Sequence, residues 1–152
     1  MAQTTSLAAA EDGLLALLQT RAAIPGNPLA GVPLHLGSPG GQPAIEEVWI
    51  SDDVTTTQAF GLTNQAGGFE ERWETIPLRV VVQLGMNGDF ATIRDRALDL
   101  ASEVELAVRA DRTLSGTVFD SEVEEITRSS GVADEGRLMV CTVLVRASAI
   151  LS

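Results

Sequence analysis

The groups able to do chemistry in this chain are few. His35 is the only histidine and Cys141 the only cysteine, and several carboxylates come in adjacent pairs: Glu46/Glu47, Asp52/Asp53, Glu70/Glu71 and Glu124/Glu125. A Ser-His-Asp relay would have to use His35, which stands in a Pro/Gly-rich stretch with no nucleophile motif beside it. Cys141 lies between Val140 and Thr142 in an apolar run, the setting of a buried thiol rather than of an activated thiolate. Neighbouring residues of a strand point to opposite faces, so the paired carboxylates cannot share a proton as an acid/base dyad. Asp52/Asp53 could take a hard cation from a turn, but the ligand spacing of an EF-hand is absent and turn formation accounts for them. The run from Gly37 to Gly41 has the glycine content of a phosphate loop without its Lys and Ser/Thr, and Pro39 removes an amide that could have cradled phosphate. No catalytic residue, cofactor or metal is expected.

Composition points the same way. The 152 residues carry 21 acidic against 10 basic side chains, a net charge of -11, and every basic residue is an arginine. Nucleic-acid affinity comes largely from cations displacing condensed counterions, so DNA passing this protein would be repelled rather than held. One cysteine excludes an internal disulfide framework and any multi-cysteine metal site. The apolar stretch 7–18 is interrupted by Glu11 and Asp12 and is too short to span a bilayer, so no membrane partner is expected. Aromatic residues make up 4% of the chain, with no tyrosine, and the core must therefore be aliphatic.

The elements that would position any site follow from periodicity. Residues 6–22 place Leu7, Leu14, Leu17 and Leu18 at helical spacing. Pro25, Gly26 and Pro28 end that helix, and the Pro/Gly-rich stretch 25–44 reads as one long loop. Strands are expected at 45–50 and 54–62, forming a hairpin across Ser51-Asp52-Asp53. A third strand, 70–84, alternates Ile76, Leu78, Val80, Val82 and Leu84 on one face against Thr75, Arg79 and Gln83 on the other. Pro77 cannot donate to a ladder, which predicts an edge position or a bulge there. A helix over 90–110 shows an apolar stripe, Phe90, Ile93, Ala97, Leu100, Ala101, Val104 and Val108, with N-caps on offer from Asn87-Gly88-Asp89. An irregular strand 117–128, a wide hairpin loop 129–136 and a terminal strand 137–151 complete a single domain over 1–152. The order αβββαββ defines an α+β fold, two helices packed against a mostly antiparallel sheet.

The third strand is long for the body it serves. A domain of this size has a radius of gyration of roughly 15 Å, hence a diameter near 40 Å, whereas fifteen strand residues run about 50 Å. The hairpin should therefore project, with its tip over 61–73. Phe69 and Trp73 stand there among Glu70, Glu71 and Arg72, the mixture expected where an arm meets a partner. The alternative is a solvated tip with Trp73 folded back on the core.

The element order, the strand ending Leu-Arg-Val-Val-Val-Gln-Leu (78–84), the helix segment Arg-Asp-Arg-Ala-Leu-Asp-Leu-Ala (94–101) and the apolar terminal strand resemble the tail terminator, or tail completion, proteins of long-tailed bacteriophages. The resemblance implies a non-enzymatic structural subunit of the virion tail that assembles in the host cytoplasm. It would form a homo-oligomeric ring, as a hexamer, at the head-proximal end of the tail. There it would cap the finished tail tube, stop its polymerisation and join it to the head-side connector protein, with DNA passing unbound. Under that reading Asp52, Asp53, Glu70 and Glu71 would form an acidic rim, lumenal or tube-facing. Strand edges left unpaired in the lone subunit would be paired by its neighbours. The rival readings are another virion part, such as a head-completion or tail-tube subunit, and a small-ligand-binding α+β domain with His35 and the run 37–41 at its pocket.

Overall fold

The computed structural model describes residues 5–39, 46–61, 71–86, 89–133 and 136–151. Helix α1 (Leu7–Ala22) is followed by strands β1 (Leu34–Leu36), β2 (Glu46–Ile50), β3 (Thr57–Gly61) and β4 (Glu71–Met86), helix α2 (Phe90–Ala110), and strands β5 (Asp120–Ala133) and β6 (Gly136–Leu151). The strands form one six-stranded sheet in the order β1-β2-β4-β6-β5, with β3 also paired to β4. Among the described strands only the β1–β2 pair is parallel. Two helices on a mixed, mostly antiparallel sheet make this the α+β fold that the periodicity predicts.

The long strand is real, and it is not alone. β4 and β6 each have 16 residues and pair from Arg72↔Leu151 to Met86↔Arg137, a ribbon of about 50 Å at ~3.3 Å per residue. Along it Ile76, Leu78, Val80, Val82 and Leu84 of β4 and Met139, Cys141, Val143, Val145 and Ala147 of β6 are all buried. From α2, Ile93, Ala97, Leu100, Ala101, Val104 and Val108 close over them, and Ala10, Leu14 and Leu18 of α1 join the same core. Each fully buried aliphatic side chain contributes about 1.5–3 kcal/mol, so this face of the sheet holds the helices.

The expected hairpin between β2 and β3 does not form. Both strands run antiparallel to β4 along the same side of it: β2 pairs with 80–84 and β3 with 71–75. They are two halves of one interrupted strand, and the break falls opposite Pro77. Ser51 N–H donates to the Arg79 carbonyl at 2.8 Å, so residue 79 turns its polar backbone groups toward this side. Strand alternation gives residue 77 the same orientation. A residue with no N–H therefore sits where the ladder has no partner asking for one. The segment 51–56 passes the gap, with Val54 packed against the core.

Two further expectations are corrected. The stretch 25–44 is not one loop throughout, because Leu34-His35-Leu36 forms β1 beside β2. It is held by Val48 N–H to the Pro33 carbonyl (3.0 Å) and Gly37 N–H to the Ile50 carbonyl (2.8 Å). Three residues are too few for alternation to show in sequence, and residues 40–44 lie outside the described residues. The wide loop at 129–136 is instead ladder up to Ala133↔Gly136. Its polar sequence misleads because residues 124–131 are exposed, and backbone pairing does not require apolar side chains.

Arg96 fixes α2 to the sheet margin. Its Nε and Nη2 donate to the two carboxylate oxygens of Glu46 at 2.8 and 2.9 Å, and Nη2 also donates to the Pro28 carbonyl at 2.9 Å. These hydrogen bonds, with the Arg96 charge, hold the Glu46 carboxyl below its usual value despite partial burial. A depressed carboxyl contributes stability that is present above its unfolded value and lost as pH falls through the folded one. Arg96→Met is expected to cost about 1–2 kcal/mol near neutral pH, discounted for the pair's partial exposure. The gap from the parent protein should narrow in acid, the bond to the Pro28 carbonyl keeping its share. Urea midpoints measured at neutral pH and well below the carboxylate range test this; a pH-independent gap would contradict it.

Candidate assembly surface

The structure separates the residues singled out in the sequence. Arg72 and Trp73 open β4; Arg72 is exposed and its Nη2 donates to Gln58 Oε1 of β3 at 3.1 Å. Trp73 points away from the helices, since Glu74, Ile76 and Leu78 point toward them. It is half-buried and meets the Phe119 ring edge-to-face at 5.4 Å between centroids. Phe119 is 62% exposed, and Ile150, paired across from Trp73, is 43% exposed. One end of the helix-free face thus carries an exposed apolar cluster. Asp52 and Asp53 lie elsewhere, exposed in the segment that breaks the β2–β3 line, where Asp53 N–H donates to Ser51 Oγ at 3.2 Å. Partial burial, then the charges of Asp12 and Asp52, push the Glu11 carboxyl up. Phe69 and Glu70 lie outside the described residues, and Glu71 is described in its backbone alone. Of the tip expected over 61–73, only Gly61 and 71–73 are among the described residues.

The remaining candidates lie apart from one another. Cys141 is fully buried on the helix side of β6, and burial pushes its thiol up, away from thiolate character. Glu46 and Glu47 point to opposite faces, as adjacent strand residues must. His35 is half-buried in β1, in register with Trp49. A groove of about 240 Å³ between the end of α2 and the start of β5 is lined by Glu105, Arg109, Arg112 and Glu122. Its arginines are engaged: Arg109 pairs with Glu105, and Arg112 bonds Asp120 and the Ser121 carbonyl. Among the described residues no group of three or more His, Cys, Asp or Glu is placed to hold a metal ion. No described helix is long and apolar enough to cross a membrane.

What the structure does present is margin and open face. Both helices cover one side of the sheet, and no described strand pairs with the outer side of β5 or of β1. On β5, Glu122 and residues 124–131 are exposed, and the bulge between Val123 and Glu125 interrupts the edge in the way proteins use to restrict its pairing. Arg146 of β6 pairs with Glu124 across that bulge at 2.9 Å. Sequence reading missed Glu74, which is fully buried on the helix side of β4. It accepts from Thr5 Oγ1 at 2.5 Å and from Ser6 N–H at 2.7 Å, tying the start of α1 to the long strand. A lone glutamate between Trp73 and Thr75 carries no mark of that distant contact.

No protein-family model and no curated protein sequence matches the chain. Its fold is shared with a solved chain described as "Virion of native gene transfer agent (GTA) particle", at a TM-score of 0.58 and 12% sequence identity. The likeness spans 93% of this chain and 94% of that one, so it covers the whole domain rather than a common sub-motif. At this identity it establishes the fold that the two chains share.

Proposed function

We propose that this protein is a structural subunit of a phage-type virion, and within it the tail terminator: a ring at the head-proximal end of the tail that caps the tube and joins it to the connector. The observation that carries the reading is the end-to-end likeness to a chain of a gene transfer agent virion. The sheet with its two margins free of described partners supports it, because unpaired edges suit a subunit that is completed by its copies. The strand and helix sequences that resemble tail completion proteins supply the finer assignment. The acidic surface fits a ring through which DNA passes without adhering, and no catalytic step belongs to this role.

In this mechanism a cyclic head-to-tail interface closes the ring, and its two unlike faces end polymerisation. The tip around Phe69, Glu70, Glu71, Arg72 and Trp73, together with Asp52 and Asp53, would contact the tube or a neighbouring subunit. Electron microscopy of the purified protein should show discrete rings, hexameric by mass, and addition to polymerising tail tubes should arrest their growth. Tubes formed by this protein alone would instead identify a tube subunit. Rings that leave tube length unchanged would identify another head-to-tail part.

A further inference from the structure

The register of the sheet singles out one line of residues. Leu36 of β1 pairs with Ile50 of β2, Ile50 with Val80 of β4, Val80 with Val143 of β6, and Val143 with Ile126 of β5. All five lie on the helix side. The three in the middle are completely buried, whereas Leu36 is 47% and Ile126 39% exposed. An apolar row of the core therefore runs the full width of the sheet and reaches solvent at both ends. Beside Ile126 the margin stays uncovered: Phe90 is 36% exposed, with the Arg128 guanidinium 5.7 Å from its ring centre.

The strand directions complete the picture. β1 runs parallel to β2, and each further step across the sheet is antiparallel, so β1 and β5 run in opposite senses. Two copies set side by side in one orientation would bring β5 of one against β1 of the next as an antiparallel pair, the more stable arrangement per residue. We infer that this is the junction between subunits, with Ile126 of one copy packed against Leu36 of its neighbour, so that the row continues through the ring. The inference rests on the ring reading above and names its surfaces. Pairing the two ends of one ladder row sets the strand register between copies, and such a heterologous interface forms a ring where the rotation from copy to copy closes.

The test is a Leu36→Cys/Ile126→Cys double variant, oxidised mildly and run on a non-reducing gel. Within one chain the two positions are separated by four strand spacings, about 19 Å, well beyond disulfide reach, so any bridge is intermolecular. A ladder of covalent multimers ending at the ring's copy number is expected, with multimers beyond dimers absent from each single variant. Independently, Ile126→Asp should raise the concentration needed for assembly roughly tenfold or more. Rings in the microscope with no such disulfide would overturn the junction and leave the ring reading standing. Cross-linked tubes or filaments would uphold the junction and reject termination. A protein that stays monomeric at every concentration, or an Ile126→Asp variant that assembles as well as the parent, would overturn the inference.

Discussion

Gly13→Ala is expected to destabilise the protein by about 2 kcal/mol or more, although alanine is the better helix former by about 1 kcal/mol. Gly13 is buried in the second turn of α1, and a Cβ placed on it would stand 2.1 Å from the Leu114 carbonyl oxygen and 2.5 Å from Thr117 Oγ1. The backbone it would strike is poorly able to retreat. Leu114 and Ser115 hold φ of 48° and 61° and Gly116 follows at 78°, conformations that side chains other than glycine adopt only under constraint. Asp111 supplies that constraint by accepting from Thr113 N–H at 3.0 Å and Ser115 N–H at 3.1 Å, while Leu114 is fully buried. Ser115 Oγ also donates to the Gly13 carbonyl at 3.3 Å, binding loop to helix at the point of closest approach. For a domain of this size the loss corresponds to a fall in Tm of about 4–8 °C. A melting temperature at or above that of the parent would show that the loop yields and that helix propensity decides.

Glu74→Ala should cost still more, about 3 kcal/mol, since it removes a buried carboxylate that takes two hydrogen bonds from the start of α1 and leaves Ser6 N–H and the Thr5 hydroxyl without that acceptor. The carboxylate also lies at the positive end of the helix, where a negative charge is favourable. Glu74→Gln keeps the volume and one carbonyl acceptor, and the Thr5 hydroxyl can turn to accept from the new amide. Its cost should be about 1 kcal/mol. Urea midpoints of the two variants decide the matter. Equal losses would mean that the shape of the side chain, rather than its hydrogen bonding to α1, is what β4 requires at this place.

These two sites show where sequence reading stops. The spacing of Ile93, Ala97, Leu100, Ala101, Val104 and Val108 is enough to give α2 its bounds and its buried face, because helix periodicity is a local property that burial reinforces. Period two along residues 76–84 likewise names the helix side of β4 before any partner is known. Pro77 predicts an edge or a bulge for an equally local reason, its missing N–H, and the structure answers with a gap between β2 and β3 along a central strand. Gly13 and Glu74 announce nothing, since what matters about them is a loop about a hundred residues away in one case and a helix start 68 residues away in the other.

The candidate surface divides along the same line. From sequence alone, Trp73 and its charged neighbours are expected at a tip, either partner-facing or with Trp73 folded back; neither Phe119 beside Trp73 nor Leu36 and Ile126 at opposite ends of one row is visible there. What the sequence by itself determined is the course of both helices and of the apolar strand segments, and which side of each is apolar. The tertiary structure alone decided that β2 and β3 share β4 instead of pairing with each other, that Leu34–Leu36 becomes an edge strand, and which apolar side chains are left facing solvent. A side chain's preference for burial is written in its own chemistry. The identity of a strand's hydrogen-bonding neighbour is settled by the whole chain, since any backbone can in principle pair with any other.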